Sequence, residues 1–233
     1  GFDSFTMTGT AALTNYMFGE AGNDVFNINS SVGANGLRMV GGEGGDNFNL
    51  NHISQSTYSR VVGGLGDDNI TVMSTALGPV SSDGSEGSDS YIGYFVGSGN
   101  RWFGALDTGT DGIDTVTTFG TAAADDLIVR VANVYEKGGR IAFGSLPEVL
   151  NVDAAGGDDH LMISASFADT TNIFGGADHD TFDIVGTTHI QNLSAMMGSG
   201  NDTVIIRKVA DSTTLVVDGQ DDDDHFVVGT YTV

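Results

Sequence analysis

The chain has 233 residues, 31 acidic and 8 basic, and its formal net charge of -23 excludes nucleic acid and anionic membrane surfaces as partners. It has no cysteine, which removes disulfides and thiolate metal sites, and no apolar run approaches the roughly 18 residues that would signal a bilayer span. Its 35 glycines follow no Gly-X-Y period, so it is not collagen, and 39% apolar residues suffice to fill a narrow core.

In chain order, a truncated motif (FDSFT, from Phe2) leads into the alternating pair Phe5/Met7. Met17-Phe18 then precedes the window GEAGNDVFN from Gly19, with Phe26/Ile28 at its end. Met39-Val40 precedes GGEGGDNFN from Gly41 and Phe48/Leu50, and Val61-Val62 precedes GGLGDDNIT from Gly63 and Ile70/Val72. GSEGSDSYI (Gly84) and GTDGIDTVT (Gly109) continue the series through residues 81–112, a Ser/Gly-rich stretch holding Tyr91, Tyr94, Phe95, Trp102 and Phe103. Residues 120–148 lose the motif, with only an echo from Gly120 to Asp126, and carry Arg130, Lys137 and Arg140. The series resumes as AAGGDDHLM (Ala154), GGADHDTFD (Gly175), MGSGNDTVI (Met197) and GQDDDDHFV (Gly219). Apolar residues at alternate positions downstream of each Asp, with a second short apolar stretch upstream of most turns, predict half-buried strands, and two prolines with no 3.6-residue pattern leave little room for helices.

The aligned acids are Asp3, Asp24, Asp46, Asp68, Asp89, Asp114, Asp159, Asp180, Asp202 and Asp224, with gaps of 21, 22, 22, 21, 25, 45, 21, 22 and 22. The long gap reads as two repeats with one motif degraded. A unit of this length cannot bury its own apolar face, whereas stacked copies can, each strand pairing with its equivalent one coil away. The expectation is an all-β parallel β-helix (β-solenoid) of about eleven coils of ~22 residues, a single domain over 1–233 with an irregular section at 81–148. Opening in mid-motif without a signal peptide, the chain reads as a segment of a longer protein.

Stacking the coils also stacks the acids. Two unit charges about 5 Å apart repel by roughly 3 kcal/mol at an effective dielectric near ~20, and the sum along a file rivals the stability of a small domain. Eight bases, none at the repeated position, cannot neutralise it. Divalent cations between turns can, and carboxylates with glycine-turn carbonyls are hard oxygen ligands that suit Ca²⁺ better than Mg²⁺ or zinc. The competing reading makes the aspartates Asx-type turn residues of a metal-free solenoid.

GGEGGDNFN and GGLGDDNIT resemble the nonapeptide of the repeats-in-toxin (RTX, hemolysin-type) calcium-binding family. The resemblance implies several structural Ca²⁺ ions held by the sixth-place Asp and by turn carbonyls, with folding triggered by calcium outside the cell. The implied ligands are Asp24, Asp46, Asp68, Asp89, Asp114, Asp159, Asp180, Asp202 and Asp224, with turn carbonyls at Gly19, Gly41, Gly63 and Gly175. Unlike the family's tandem nonapeptides, this chain has one per repeat, so one ion file on one edge is expected. Asp178 and Asp222 replace a turn glycine, while Asn23, Asp67, Asp158, Asn201 and Asp223 read as further ligands or as turn formers.

The function expected on this basis is non-enzymatic: a calcium-binding stalk or adhesion segment of a secreted or cell-surface bacterial protein, extracellular, with glycans or neighbouring solenoid domains as further partners and no membrane insertion. The alternative is a carbohydrate-binding or polysaccharide-processing (lyase- or epimerase-like) β-helix. It would use Tyr91, Tyr94 and Trp102 as a sugar platform, or Arg130, Tyr135, Lys137 and Arg140 as a site, and rests on fold analogy. His160, His179 and His225 beside repeat aspartates read as solvated turn or strand-edge residues.

Overall fold

The computed structural model describes residues 1–9, 14–30, 36–54, 57–73, 76, 78–97, 101–144 and 147–229. They form two compact units: Gly1–Tyr94 with Asn100–Val116 and Ile141–Ser145, and Phe95–Gly99 with Thr117–Arg140 and Leu146–Val233. The described residues contain no helix, and their strands make two sheets, of ten and twelve strands, in a β-solenoid of about nine turns rather than the expected eleven.

In the first unit the strands are β1 (Ser4–Met7), β2 (Thr14–Ala21), β3 (Val25–Ile28), β4 (Gly36–Glu43), β5 (Asn47–Leu50) and β6 (Tyr58–Leu65). They continue as β7 (Asn69–Val72), β8 (Val80–Glu86), β9 (Ser90–Tyr94) and β10 (Trp102–Leu106). Odd-numbered strands lie side by side in one sheet and even-numbered strands in the other, all parallel. Equivalent residues therefore meet: Phe5 pairs with Phe26, Phe26 with Phe48, Phe48 with Ile70 and Ile70 with Tyr91. The first three rings stack, with centroids 4.8 and 4.6 Å apart. Between Asn27 and Asn49, and between Asn29 and Asn51, side-chain amides bond from coil to coil at 3.0 and 2.8 Å.

β11 (Thr115–Phe119) and β14 (Gly139–Phe143) carry residues of both units, while β12 (Asp126–Arg130) and β13 (Asn133–Glu136) belong to the second. It continues with β15 (Val149–Asp153), β16 (His160–Ala165), β17 (Thr170–Ala177) and β18 (Thr181–Thr188). β19 (Asn192–Ser199), β20 (Thr203–Ile206), β21 (Thr214–Asp221) and β22 (His225–Val228) complete it. β12 and β13 pair antiparallel, from Leu127 opposite Glu136 to Arg130 opposite Asn133, and β12 pairs in parallel with β16.

This hairpin corrects the reading of the 45-residue gap. In the first unit the Asp turns lead from the twelve-stranded sheet into the ten-stranded one, as from β2 to β3. In the second they lead the other way, as from β15 to β16. The phase changes where Asp114, before β11, is followed by Asp125, before β12, half a repeat later. There is no degraded coil; the chain takes a half-step and then inserts a hairpin.

Phe48 is fully buried between Phe26 and Ile70. Phe48→Ala is expected to lower unfolding stability by about 3–5 kcal/mol, measured by thermal or denaturant unfolding. Tyr16→Ala, on the exposed face of β2, is expected to stay within about 0.5 kcal/mol of the unsubstituted chain.

Candidate cation ladder

After the first of each file, every repeat aspartate takes a backbone hydrogen bond from its counterpart in the preceding coil. In the first unit the N–H groups of Asp3, Asp24, Asp46, Asp68 and Asp89 donate to Oδ1 of Asp24, Asp46, Asp68, Asp89 and Asp114, at 2.6 to 2.8 Å. In the second, Asp125, Asp159, Asp180 and Asp202 donate to Asp159, Asp180, Asp202 and Asp224, at 2.7 to 3.0 Å. The expected single file is thus two files, one in each unit, because the half-step moves the acid to the other kind of turn.

One oxygen per carboxylate is thereby satisfied. The other, Oδ2, is buried without a hydrogen-bond partner at Asp24, Asp46, Asp68, Asp89, Asp159, Asp180 and Asp202. Leaving such an atom bare costs about 1–3 kcal/mol, and more when it is charged. Its surroundings explain the glycine five residues upstream. A Cβ on Gly19 would overlap Asp24 Oδ2 and come 2.8 Å from the carbonyl oxygen of Gly41. At Gly41 and Gly63 the overlaps are with Asp46 and Asp68, and the carbonyls of Gly63 and Gly84 would lie 2.7 Å away. Gly175 relates to Asp180 and the Met197 carbonyl in the same way. Carboxylate and carbonyl oxygens thus converge where a side chain would otherwise sit, a donor set of hard oxygens that fits a cation such as Ca²⁺.

The electrostatics agree. Burial pushes the Asp68 carboxyl up to about 8; the Asp46 N–H bond opposes the shift, and the Asp89 and Asp46 charges add to it. Burial likewise raises Asp89 to about 7, Asp159 to about 7 and Asp180 to about 6 from an ordinary 3.8. The folded chain thus favours something positive, proton or metal, at these oxygens.

Two members escape the sequence reading. Asp125 completes the second file; Gly120 stands five residues before it, and a Cβ there would come 2.8 Å from Asp125 Oδ2 and 2.6 Å from the Ala154 carbonyl. Counting six places from Gly120, with Leu127 at the eighth, would have found it. The second is Asp107. Leu106 pairs with Asp83, so the next residue, Asp107, falls opposite Gly84, in the glycine position of its coil. One carboxylate oxygen from each of Asp89, Asp107 and Asp114 lies within 4.8 Å of the others, the only such cluster among the described residues. The 25-residue spacing between Asp89 and Asp114 hides that register.

The outer turn residues have their own bonds. Gly45 N–H donates to Asn23 Oδ1, Ser88 N–H to Asp67 Oδ1, His179 N–H to Asp158 Oδ1 and Asp223 N–H to Asn201 Oδ1, at 2.8 to 3.2 Å. These side chains therefore cap the backbone of adjacent coils as turn formers. Asp178 and Asp222 keep the left-handed conformation of the glycines they replace, with φ of 79° and 75°, so the turn geometry survives the substitution. Of the histidines, His160 Nδ1 lies 2.9 Å from Asp126 Oδ1 and His179 Nδ1 accepts the Asn201 N–H.

The sugar platform expected at Tyr91, Tyr94 and Trp102 is not assembled. Tyr91 belongs to the core, buried in the same row as Phe26, Phe48 and Ile70 and paired with Ile70. Its hydroxyl accepts the Gly84 N–H and donates to the Leu106 carbonyl, both at 2.7 Å. Tyr94 offers its carbonyl to the buried Arg101 guanidinium, and the Trp102 ring covers Gly104. Near the hairpin, Lys137 Nζ lies 3.7 Å from Asp125 and 3.8 Å from the buried Glu136, while Arg130 and Arg140 are exposed.

No family model matches the chain, and neither the curated proteins nor the solved structures include a match.

Two outcomes follow. Gly63→Ala is expected to cost about 1–3 kcal/mol in urea unfolding, since the added methyl has only carboxylate and backbone to displace. In cation-free buffer, unfolding stability is expected to fall as pH rises from about 4 to about 8. Raised folded-state values mean that the native chain holds protons the unfolded chain has already released, so the stabilisation is complete at low pH and vanishes above the folded values. Melting temperatures across that range, without and with calcium, check this; calcium should flatten the curve.

Proposed function

We propose that this chain is a calcium-binding structural module, a β-solenoid whose inter-coil turns hold Ca²⁺ and whose folding is coupled to that binding. The row of buried, unpartnered Asp Oδ2 atoms beside turn carbonyls carries the reading. A bound divalent ion supplies the positive charge and the acceptor-only coordination that carboxylate and carbonyl oxygens require. The chain's own part is to hold each carboxylate by its Oδ1 bond, keep side chains out of the cradle with glycine, and align the carbonyls. In the file that ends at Asp114, Asp89, Asp107 and Asp114 supply the densest negative charge and would hold an ion most tightly.

The resemblance of GGEGGDNFN and GGLGDDNIT to RTX repeats supports the same reading, and with it a place outside the cell as a stalk or adhesive segment of a bacterial surface protein. Millimolar extracellular calcium would load the ladder, so that the array becomes rigid only after export. A net charge of -23 keeps the unloaded chain expanded and soluble.

Calcium titration of EDTA-stripped protein, followed by far-UV circular dichroism and calorimetry, tests the proposal. A gain of strand signal with several ions bound is the expected outcome. Unchanged melting in excess EDTA, with no ion bound, would remove it. Asp107→Asn should weaken the tightest class of site by about tenfold and leave the remaining sites unchanged.

A further inference from the structure

The outward face of β2, β4, β6 and β8 carries side chains that the ladder does not use. Parallel register sets alternate residues in rows: Tyr16, Arg38, Arg60 and Ser81 in one, and Phe18, Val40, Val62 and Asp83 in the next. Tyr58 flanks the first row beside Gly36. Tyr16, Phe18 and Tyr58 are 60%, 54% and 50% exposed, and the rings of Tyr16 and Phe18 are nearly parallel, 6.4 Å between centroids.

The arginines are the unusual part. A chain with only eight bases among 31 acids places two of them directly opposite one another on adjacent strands, where like charges are unfavourable. Both are exposed, and neither forms an ion pair among the described residues, whose basic partners to carboxylates are Lys137, His160 and Arg207. Two guanidinium forks on neighbouring strands about 4.8 Å apart face solvent with their bidentate donors unspent. Beside them lie aromatic faces suited to the apolar C–H face of a pyranose ring, whose slightly positive hydrogens meet the negative π surface.

We propose that this face of the first unit binds an acidic polysaccharide of the uronate type, with Arg38 and Arg60 taking sugar carboxylates and Tyr16, Phe18 and Tyr58 stacking on sugar rings. Charge complementarity selects the occupant: the surrounding body is strongly negative, so a polyanion is accepted only where the two guanidinium groups and the ring contacts act together. The site shares no side chain with the ladder and needs only the folded sheet that presents these rows.

The test is calorimetric titration of the calcium-loaded chain with short oligogalacturonates at about 0.15 M salt, which screens the body charge beyond roughly 8 Å. Neutral cello-oligosaccharides, polyglutamate and anionic phospholipid vesicles are run in parallel. The expected result is saturable uronate binding, at least about tenfold weaker for the neutral sugar, for the Arg38→Gln/Arg60→Gln double variant and for Tyr16→Ala. These exposed substitutions are checked by circular dichroism, which should be unchanged. Equal binding by the double variant would mean calcium bridging elsewhere on the acidic surface and would overturn the proposal. Equal binding of polyglutamate, a preference for vesicles, or no uronate binding would also overturn it.

Discussion

The bond from one aspartate's backbone N–H to the Oδ1 of the aspartate in the following coil organises the rest of the molecule. It fixes the vertical register of the turns, and that register superimposes phenylalanine on phenylalanine and asparagine on asparagine in the neighbouring strands. It also decides the fate of the second carboxylate oxygen. With Oδ1 committed to the backbone, Oδ2 is driven against the upstream glycine and the next coil's carbonyl, where neither can donate to it. Structural role and cation affinity are two consequences of the same geometry.

A proton or a divalent ion answers the electrostatic problem in this cradle, and they differ in reach. A proton neutralises one carboxylate and lets its O–H meet a carbonyl; an ion between coils serves several oxygens at once. The raised values at Asp68, Asp89, Asp159 and Asp180 show how strongly the folded chain resists bare charge there. Asp107 sharpens this in one coil by replacing a glycine with a further acid beside Asp89 and Asp114.

Much of the fold was legible because its determinants are local and repeated. Alternating apolar residues such as Phe48 and Leu50 set the strand faces, and the Asp period set the stacking. Asp24, Asp46 and Asp68, with Gly19, Gly41 and Gly63, fell together as their spacing required. What was hidden depends on pairing between distant segments. The half-step from Asp114 to Asp125 is invisible until β12 is seen beside β16, and the antiparallel turn to β13 has no motif of its own. Tyr91 stood open between core packing and a sugar platform, because composition cannot tell a core ring with a bonded hydroxyl from an exposed one. The two arginines of β4 and β6 are 22 residues apart in the chain and become neighbours only through register.

The ladder bond also has a direction. Each coil gives its N–H forward along the chain and receives on its carboxylate from the coil behind, so the two sides of any turn are chemically unlike. A coil emerging first during synthesis presents an unfilled donor that only its successor can satisfy, which makes growth of the array templated from the N-terminal side. Severing it between coils would leave a bare amide on one fragment and a bare acid on the other. Modules built from these repeats can therefore be joined head to tail and in no other sense.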